Sequence, residues 1–243
     1  LNGVDHAVWD PRTDPHLPAT GGANYSVADL SGKRACKRAL FERVGFPASR
    51  VHRPLFGCIS RLVNQKGIDL ICQALPDLVR RDAYIVVLGS GPEQQALESA
   101  MQPHRHHCAI AHGYDEPLAH LIEAGSDFYL MPSRYEPCGL NQMYSQVYGT
   151  LPIVRRTGGL ADTVIDLTDD RARGTGFAFG PYDRDALLGA IGRALNLWDH
   201  ERSINRIRQR AMMGDFSWDR AAAAYAGIYE QLVRNRRRAN RTA

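Results

Sequence analysis

From Leu55 onward the apolar residues fall into short unbroken runs: LFGCIS (55–60), YIVVLG (84–89), AIAHG (109–113), DFYLMPS (127–133), LPIVRR (151–156) and GFAFG (176–180). Between the runs, apolar positions recur every three or four residues, near 67–80, 92–101, 115–124, 139–149 and 158–166. Strands that are apolar throughout, rather than alternating, are expected where helices cover both faces of a sheet. The pattern therefore predicts a doubly wound, Rossmann-like α/β fold with a parallel sheet of about six strands. Three further helical stretches, 183–198, 200–213 and 217 to about 238, close the chain. Before the first strand, residues 1–24 are rich in Pro, Gly and Asp and suit a surface connector. SVAD at 26–29 then reads as a capping box that opens a helix to Val44, stopped by Gly45. The expected division is a connector over 1–30, a Rossmann-like domain over 31–216, and over 217–243 a C-terminal helix with a basic tail.

Composition narrows the possibilities only slightly. The formal charge of +4 comes from the last ten residues, which hold five arginines and no acid; without them the balance is slightly negative. A terminal charge run of this kind reads as a solvated tail, with a nucleic-acid-binding arm as the rival. Cys36, Cys58, Cys72, Cys108 and Cys138 are scattered with no C-x-x-C pair, which points to neither a zinc site nor a disulfide framework and fits a reducing cytoplasm. No stretch approaches the roughly 18 apolar residues of a membrane span, and the N-terminus lacks the pattern of a signal peptide. The missing initial Met suggests a piece of something longer.

In open parallel sheets ligands sit beyond the carboxyl ends of the strands, at the point where the strand order reverses, so candidate chemistry is sought in residues that follow strands. SRLVNQKG (60–67) puts Arg61 and Lys66 on one such loop, either as a solvated turn or as a grip on a diphosphate. At an effective dielectric near 20, each charge pair about 4 Å apart gains about 4 kcal/mol before desolvation. GSGPEQQ (89–95) lacks the third glycine of a dinucleotide fingerprint and is a weak signal for a nicotinamide-dependent oxidoreductase. After the third strand, Tyr114 offers its ring to a flat base or serves as a partly buried structural residue, and Asp115 reads as a helix N-cap.

PSRYEPCGLNQ (132–142) carries the most specific chemistry. Gly139 to Asn141 should open a helix whose free N–H groups attract anions, yet Glu136 stands just before that turn. A carboxylate beside a phosphate is understandable if it faces what the phosphate carries. A sugar fits, because its hydroxyls donate to a carboxylate and its anomeric carbon becomes positive as the bond to phosphate breaks. RTGGL (156–160) repeats the strand, glycine and helix arrangement, so Thr157, Gly158 and Gly159 are expected to add N–H groups to the same cradle.

Together SRLVNQKG, GYDE, PSRYEPCGLNQ and YGTLPIVRRTGGLADTV resemble the C-terminal half of bacterial glycogen synthases and plant starch synthases, retaining glucosyltransferases of the two-Rossmann-domain (GT-B) type. The similarity runs from NGVD at the start to DFSW near 215. It implies transfer of glucose from ADP-glucose to the non-reducing 4-OH of an α-1,4-glucan. By the family pattern Arg61 and Lys66 contact the diphosphate, Tyr114 packs on adenine, Glu136 is the acidic residue beside the donor sugar, and Cys138, Gly139 and Leu140 contact sugar or phosphate through their backbone. Asn141 stands where relatives often have Thr and keeps the ability to donate to a phosphate. In other retaining transferases a second Glu lies eight residues after the first; Tyr144 stands there, as this family's motif leads one to expect. The family's other half, with its Lys-x-Gly-Gly-Leu motif, a histidine beside the donor sugar and most acceptor contacts, is not in these 243 residues. The chain alone is therefore expected to bind ADP or ADP-glucose with little turnover, and to self-associate through the apolar face of 217–233, which in such enzymes meets the other half.

No metal or cofactor is expected, since Arg61 and Lys66 supply the positive charge a metal would bring. HRHHC (104–108) looks like a ligand cluster, but neighbouring residues of an extended segment point in opposite directions. DRD (183–185) reads as a helix N-cap.

Overall fold

The computed structural model describes the backbone of residues 1–242 and the side chains through 237. A single sheet of six strands, β1 (Leu55–Ile59), β2 (Tyr84–Gly89), β3 (Cys108–His112), β4 (Phe128–Met131), β5 (Leu151–Arg155) and β6 (Phe177–Phe179), runs in the order β3-β2-β1-β4-β5-β6. Every pairing is parallel. The order reverses between β1 and β4, so a crevice opens there at the carboxyl edge.

Successive strand residues serve opposite faces, and both faces are dry. Ile85 and Val87 point into a core built with α3 (Ile68–Arg80), α4 (Gln94–Met101), α8 (Arg184–Trp198) and α9 (Glu201–Met212). Tyr84, Val86 and Leu88 point into the other, built with α2 (Ser31–Arg43) and α5 (Glu116–Gly125). This division is the physical reason the strand sequences are apolar without alternation. Between the two layers, buried Asp127 accepts from Lys37 at 2.6 Å, Arg208 at 2.6 Å and the Leu55 backbone at 2.9 Å, tying α2, α9 and the start of β1 to the head of β4.

The connector is built into the domain. Leu17, on α1 (His16–Ala19), and Tyr25 are buried in the second core, and the Tyr25 hydroxyl donates to the Tyr148 carbonyl at 2.7 Å. SVAD is not a capping box. Ser26 and Asp29 exchange backbone hydrogen bonds in a turn, and α2 starts at Ser31, whose N–H donates to Asp29 Oδ1 at 2.8 Å. Gly45, in a left-handed conformation, ends that helix as expected. Asp115 and Asp183 are N-caps, accepting from Leu118 N–H and Ala186 N–H.

Two short helices are trimmed relative to the sequence reading: α6 covers Asn141–Val147 and α7 Gly158–Thr163. The last helix, α10 (Trp218–Thr242), leaves Tyr225, Ile228, Tyr229, Leu232 and Val233 exposed. Part of the arginine tail, 238–243, lies outside the residues whose side chains are described. Among the described residues no helix is long and apolar enough to cross a membrane, and all five cysteines are free thiols.

Candidate active site

The loops that leave β1, β2, β3 and β4 enclose a crevice of about 630 Å³ at the switch point. Arg61, Lys66, Tyr114, Glu136, Cys138, Gly139, Leu140 and Asn141, drawn from three separate loops, all line it.

Lys66 arrives there by way of a backbone requirement. It ends a single 3₁₀ turn, and Gly67 behind it has φ +74°, with a missing Cβ that would collide with the Pro132 carbonyl. Only glycine lets the turn lie flat against the loop after β4. The two loops are then joined by Arg134 N–H to the Gln65 carbonyl at 2.8 Å and by the Arg134–Asp69 ion pair, also 2.8 Å. Lys66 Nζ consequently sits 2.5 Å from Glu136 Oε2. Ser133, fully buried, adds its hydroxyl to the same carboxylate oxygen at 3.3 Å. Arg61, by contrast, is exposed and forms no ion pair among the described residues. The crevice thus holds one neutralised cation–carboxylate pair and one uncommitted cation.

Tyr114 is 76% exposed, which rules out the structural reading and leaves an open ring at the rim. The loop 136–140 is held from below by Gln142, whose amide donates to the Cys138 carbonyl, the Gly139 carbonyl and the Thr163 hydroxyl at 3.0–3.2 Å. The Asn141 amide is already used: it donates to the Ile59 carbonyl at 2.8 Å and to the Tyr129 hydroxyl at 2.7 Å, fastening the start of α6 to the end of β1. That amide is therefore not free to donate to a phosphate.

Thr157, Gly158 and Gly159 are not among the residues lining the crevice. The Gly159 N–H donates to the Glu136 carbonyl at 3.0 Å. A Cβ on Gly158 would strike that same carbonyl, and one on Gly159 would strike the carbonyl of Cys138. The glycines of TGGL are the floor on which the Glu136 loop rests, in place of the anion cradle expected from sequence. Gly89 and Gly91 have a comparable task, lying against the carbonyls of Ser60 and Leu62, so GSG is explained by packing between two loops. Tyr144, where other transferases place a second Glu, stacks on Trp9 with ring centroids 4.1 Å apart.

Sequence reasoning missed Asn2, Ser133 and Gln142. Asn2 reaches the crevice from the connector, its N–H 3.3 Å from Cys138 Sγ. Ser133 sits three residues before Glu136, a proximity that could have flagged it. Nothing in the sequence marks Gln142, which as a polar residue in a first helical turn reads as surface.

An open parallel sheet whose switch-point crevice is lined, among the described residues, by two cations and one carboxylate defines a Rossmann-like domain. Residues 45–211 match the family model described as glycosyl transferases group 1, and the chain belongs to that family. It is 52% identical over 238 residues to a glycogen synthase of Anaeromyxobacter dehalogenans, and 48% identical over 236 residues to one of Rhodospirillum rubrum. These alignments cover 97% and 96% of this chain but 49% and 47% of the relatives, so the chain spans about half the length of the curated relatives it matches. Among solved structures, the catalytic domain of starch synthase IV from Arabidopsis thaliana, bound to ADP and acarbose, superposes with a TM-score of 0.87 at 38% identity, over 95% of this chain and 48% of that one. A sucrose-phosphate synthase from Thermosynechococcus elongatus, at 23% identity and a TM-score of 0.61 over 81% of this chain and 49% of that one, shares the fold. With the family established and GSG accounted for by packing, the nicotinamide-dependent oxidoreductase reading has no remaining support.

Proposed function

We infer that this chain is the donor-binding part of a retaining, ADP-glucose-dependent glycogen or starch synthase. The observation that carries the reading is the Lys66–Glu136 pair, 2.5 Å apart, in a crevice where Arg61 has no acidic partner among the described residues. Arg61 and Lys66 hold the diphosphate, and Tyr114 covers the adenine. Glu136 then lies where the glucosyl ring meets the phosphate, and accepts from ring hydroxyls. As the anomeric carbon–oxygen bond breaks, electrons leave with the diphosphate toward the two cations and the anomeric carbon becomes positive. A fixed carboxylate beside it and fixed cations beyond it favour that separation of charge in the transition state.

Among the described residues lining the crevice, Glu136 is the sole carboxylate, and Lys66 already holds it. That arrangement favours departure and attack on one face over a covalent glucosyl intermediate. The acceptor, an α-1,4-glucan whose 4-OH attacks, is proposed to be held mainly by residues outside this chain. ADP and acarbose bound in the starch synthase IV structure support the pairing of nucleotide and glucan.

Calorimetric titration of the chain with ADP and ADP-glucose tests the proposal. Arg61→Ala and Lys66→Ala should each weaken binding by about 10-fold or more, roughly 1.4 kcal/mol or above. ADP-glucose should also outcompete UDP-glucose. Unchanged affinity in both variants would remove the reading.

A further inference from the structure

Away from the crevice, where α1 and the residues before it meet α5, a histidine lies fully buried in a setting the transferase chemistry does not use. His120 Nδ1 is 2.7 Å from Asp14 Oδ2, and the Tyr148 hydroxyl donates to the same oxygen at 2.6 Å. The His16 backbone N–H donates to Asp14 Oδ1 at 2.8 Å. With every neighbour donating to it, Asp14 is an acceptor, and His120 Nδ1 carries the hydrogen. Trp9 stacks on the imidazole at 3.8 Å.

Two facts about this arrangement do not close. Asp14 is 2% exposed, yet no Lys or Arg among the described residues pairs with it. Buried carboxylates are ordinarily compensated by a cation or a metal. His120 Nε2, meanwhile, is buried with no hydrogen-bond partner among the described residues. A neutral imidazole leaves Asp14 held by hydrogen bonds alone, with no cation; an imidazolium supplies the charge but buries an Nε2–H with no acceptor. A cation bound by the Nε2 lone pair resolves both.

Candidate co-ligands stand beside it: one ligand atom each of His16, Glu116 and His120 lies within 4.8 Å of the others. Nδ1 of His120 is committed to Asp14, so Nε2 is the nitrogen left to bind. Ligands about 2.1 Å from a tetrahedral zinc stand roughly 3.4 Å apart, so the three side chains must draw together to hold an ion. Glu116 is exposed and His16 only half-buried, so both have room to move. We propose that His16, Glu116 and His120 form a binding site for a divalent transition-metal ion of the zinc type, with Asp14 orienting His120 from behind. Two imidazoles and a carboxylate are a donor set that suits zinc, and a carboxylate on the far nitrogen of a ligating histidine is its usual support. Bound there, the ion would staple the connector to α5, next to the Trp9–Tyr144 stack that leads to α6.

The test uses the 243-residue chain stripped with a chelator and titrated with Zn²⁺ by calorimetry and with Co²⁺ by visible absorption. The expected result is one saturable site with cobalt bands of four- or five-coordinate geometry. His16→Gln and Glu116→Gln should weaken it at least about 10-fold while circular dichroism stays unchanged, and Asp14→Asn should weaken it about 10- to 100-fold. His104→Ala with His106→Ala, in the separate histidine-rich loop, should leave it intact. Absence of saturable binding, binding unaffected by both His16→Gln and Glu116→Gln, or binding lost only in the His104/His106 variant would each overturn the proposal.

Discussion

At the scale of single residues, the proposed function turns on how Lys66 divides its charge between Glu136 and a ligand. The ammonium lies 2.5 Å from the carboxylate, so on that proposal a bound diphosphate must share it. Glu136→Gln removes the competitor and keeps the shape. In the full-length enzyme, turnover should fall by orders of magnitude, because the lost charge acts on the anomeric carbon only as the bond breaks. Affinity for ADP, measured by calorimetry on the same variant, should hold or rise. A fall in ADP affinity comparable to the loss in turnover would mean that Glu136 shapes the pocket and does not act on the sugar. The types of these residues and the loops that carry them were legible in SRLVNQKG and PSRYEPCGLNQ, but the direct pairing was not, since it depends on two loops 70 residues apart touching through Gly67. Asn141 shows the opposite limit: its amide looked free to bind a phosphate and is spent on Ile59 and Tyr129. Buried charge was equally unreadable. Glu123 lies in an ordinary amphipathic stretch, yet it is fully buried, and that burial pushes its carboxyl well above the usual range despite Lys33 pulling it down.

At the scale of elements, the site is an arrangement of loops held at fixed heights by strand ends and glycines. All six strands and the helices between them were legible because burial on both faces writes apolar runs into the sequence. Helix starts were less so. Asp115 and Asp183 cap as their positions suggested, whereas Ser26 and Asp29 close a turn of their own, an alternative that short polar side chains offer any backbone. The glycines of TGGL were visible and their task was misjudged, because a glycine needed for close backbone approach looks the same as one that exposes N–H groups. Gly159→Ala would drive a methyl into the Cys138 carbonyl and lift the Glu136 loop from its floor. Overpacking of this kind costs about 1–3 kcal/mol, which urea unfolding should register. The variant should also lose ADP binding even at temperatures where it remains folded. Native affinity in a folded Gly159→Ala chain would separate the floor from the site.

At the scale of the whole molecule, the order of the strands decides which loops meet, and nothing in a run of apolar residues encodes it. Only the general rule for open parallel sheets led from the loops after β1 and β4 to a shared crevice. The connector was read as a surface segment, but its Leu17, Tyr25 and Asp14 are buried, since a chain rich in Pro and Gly gives no periodicity from which burial could be inferred. The apolar residues of α10 are exposed, as its sequence led one to expect. Surfaces of this kind seek a partner. The isolated chain should therefore associate with itself at high concentration, and Ile228→Asp with Leu232→Asp should return it to monomer; light scattering that finds a strict monomer before substitution would contradict this. The central claim, that one crevice takes the diphosphate on Arg61 and Lys66 with Glu136 toward the sugar, is tested most directly by a crystal structure of the chain with ADP. The account predicts the diphosphate within hydrogen-bond reach of both cations, adenine against Tyr114, and Glu136 at the open end beyond the terminal phosphate. Nucleotide density anywhere else, with the Lys66–Glu136 pair intact and its crevice unvisited, would contradict it.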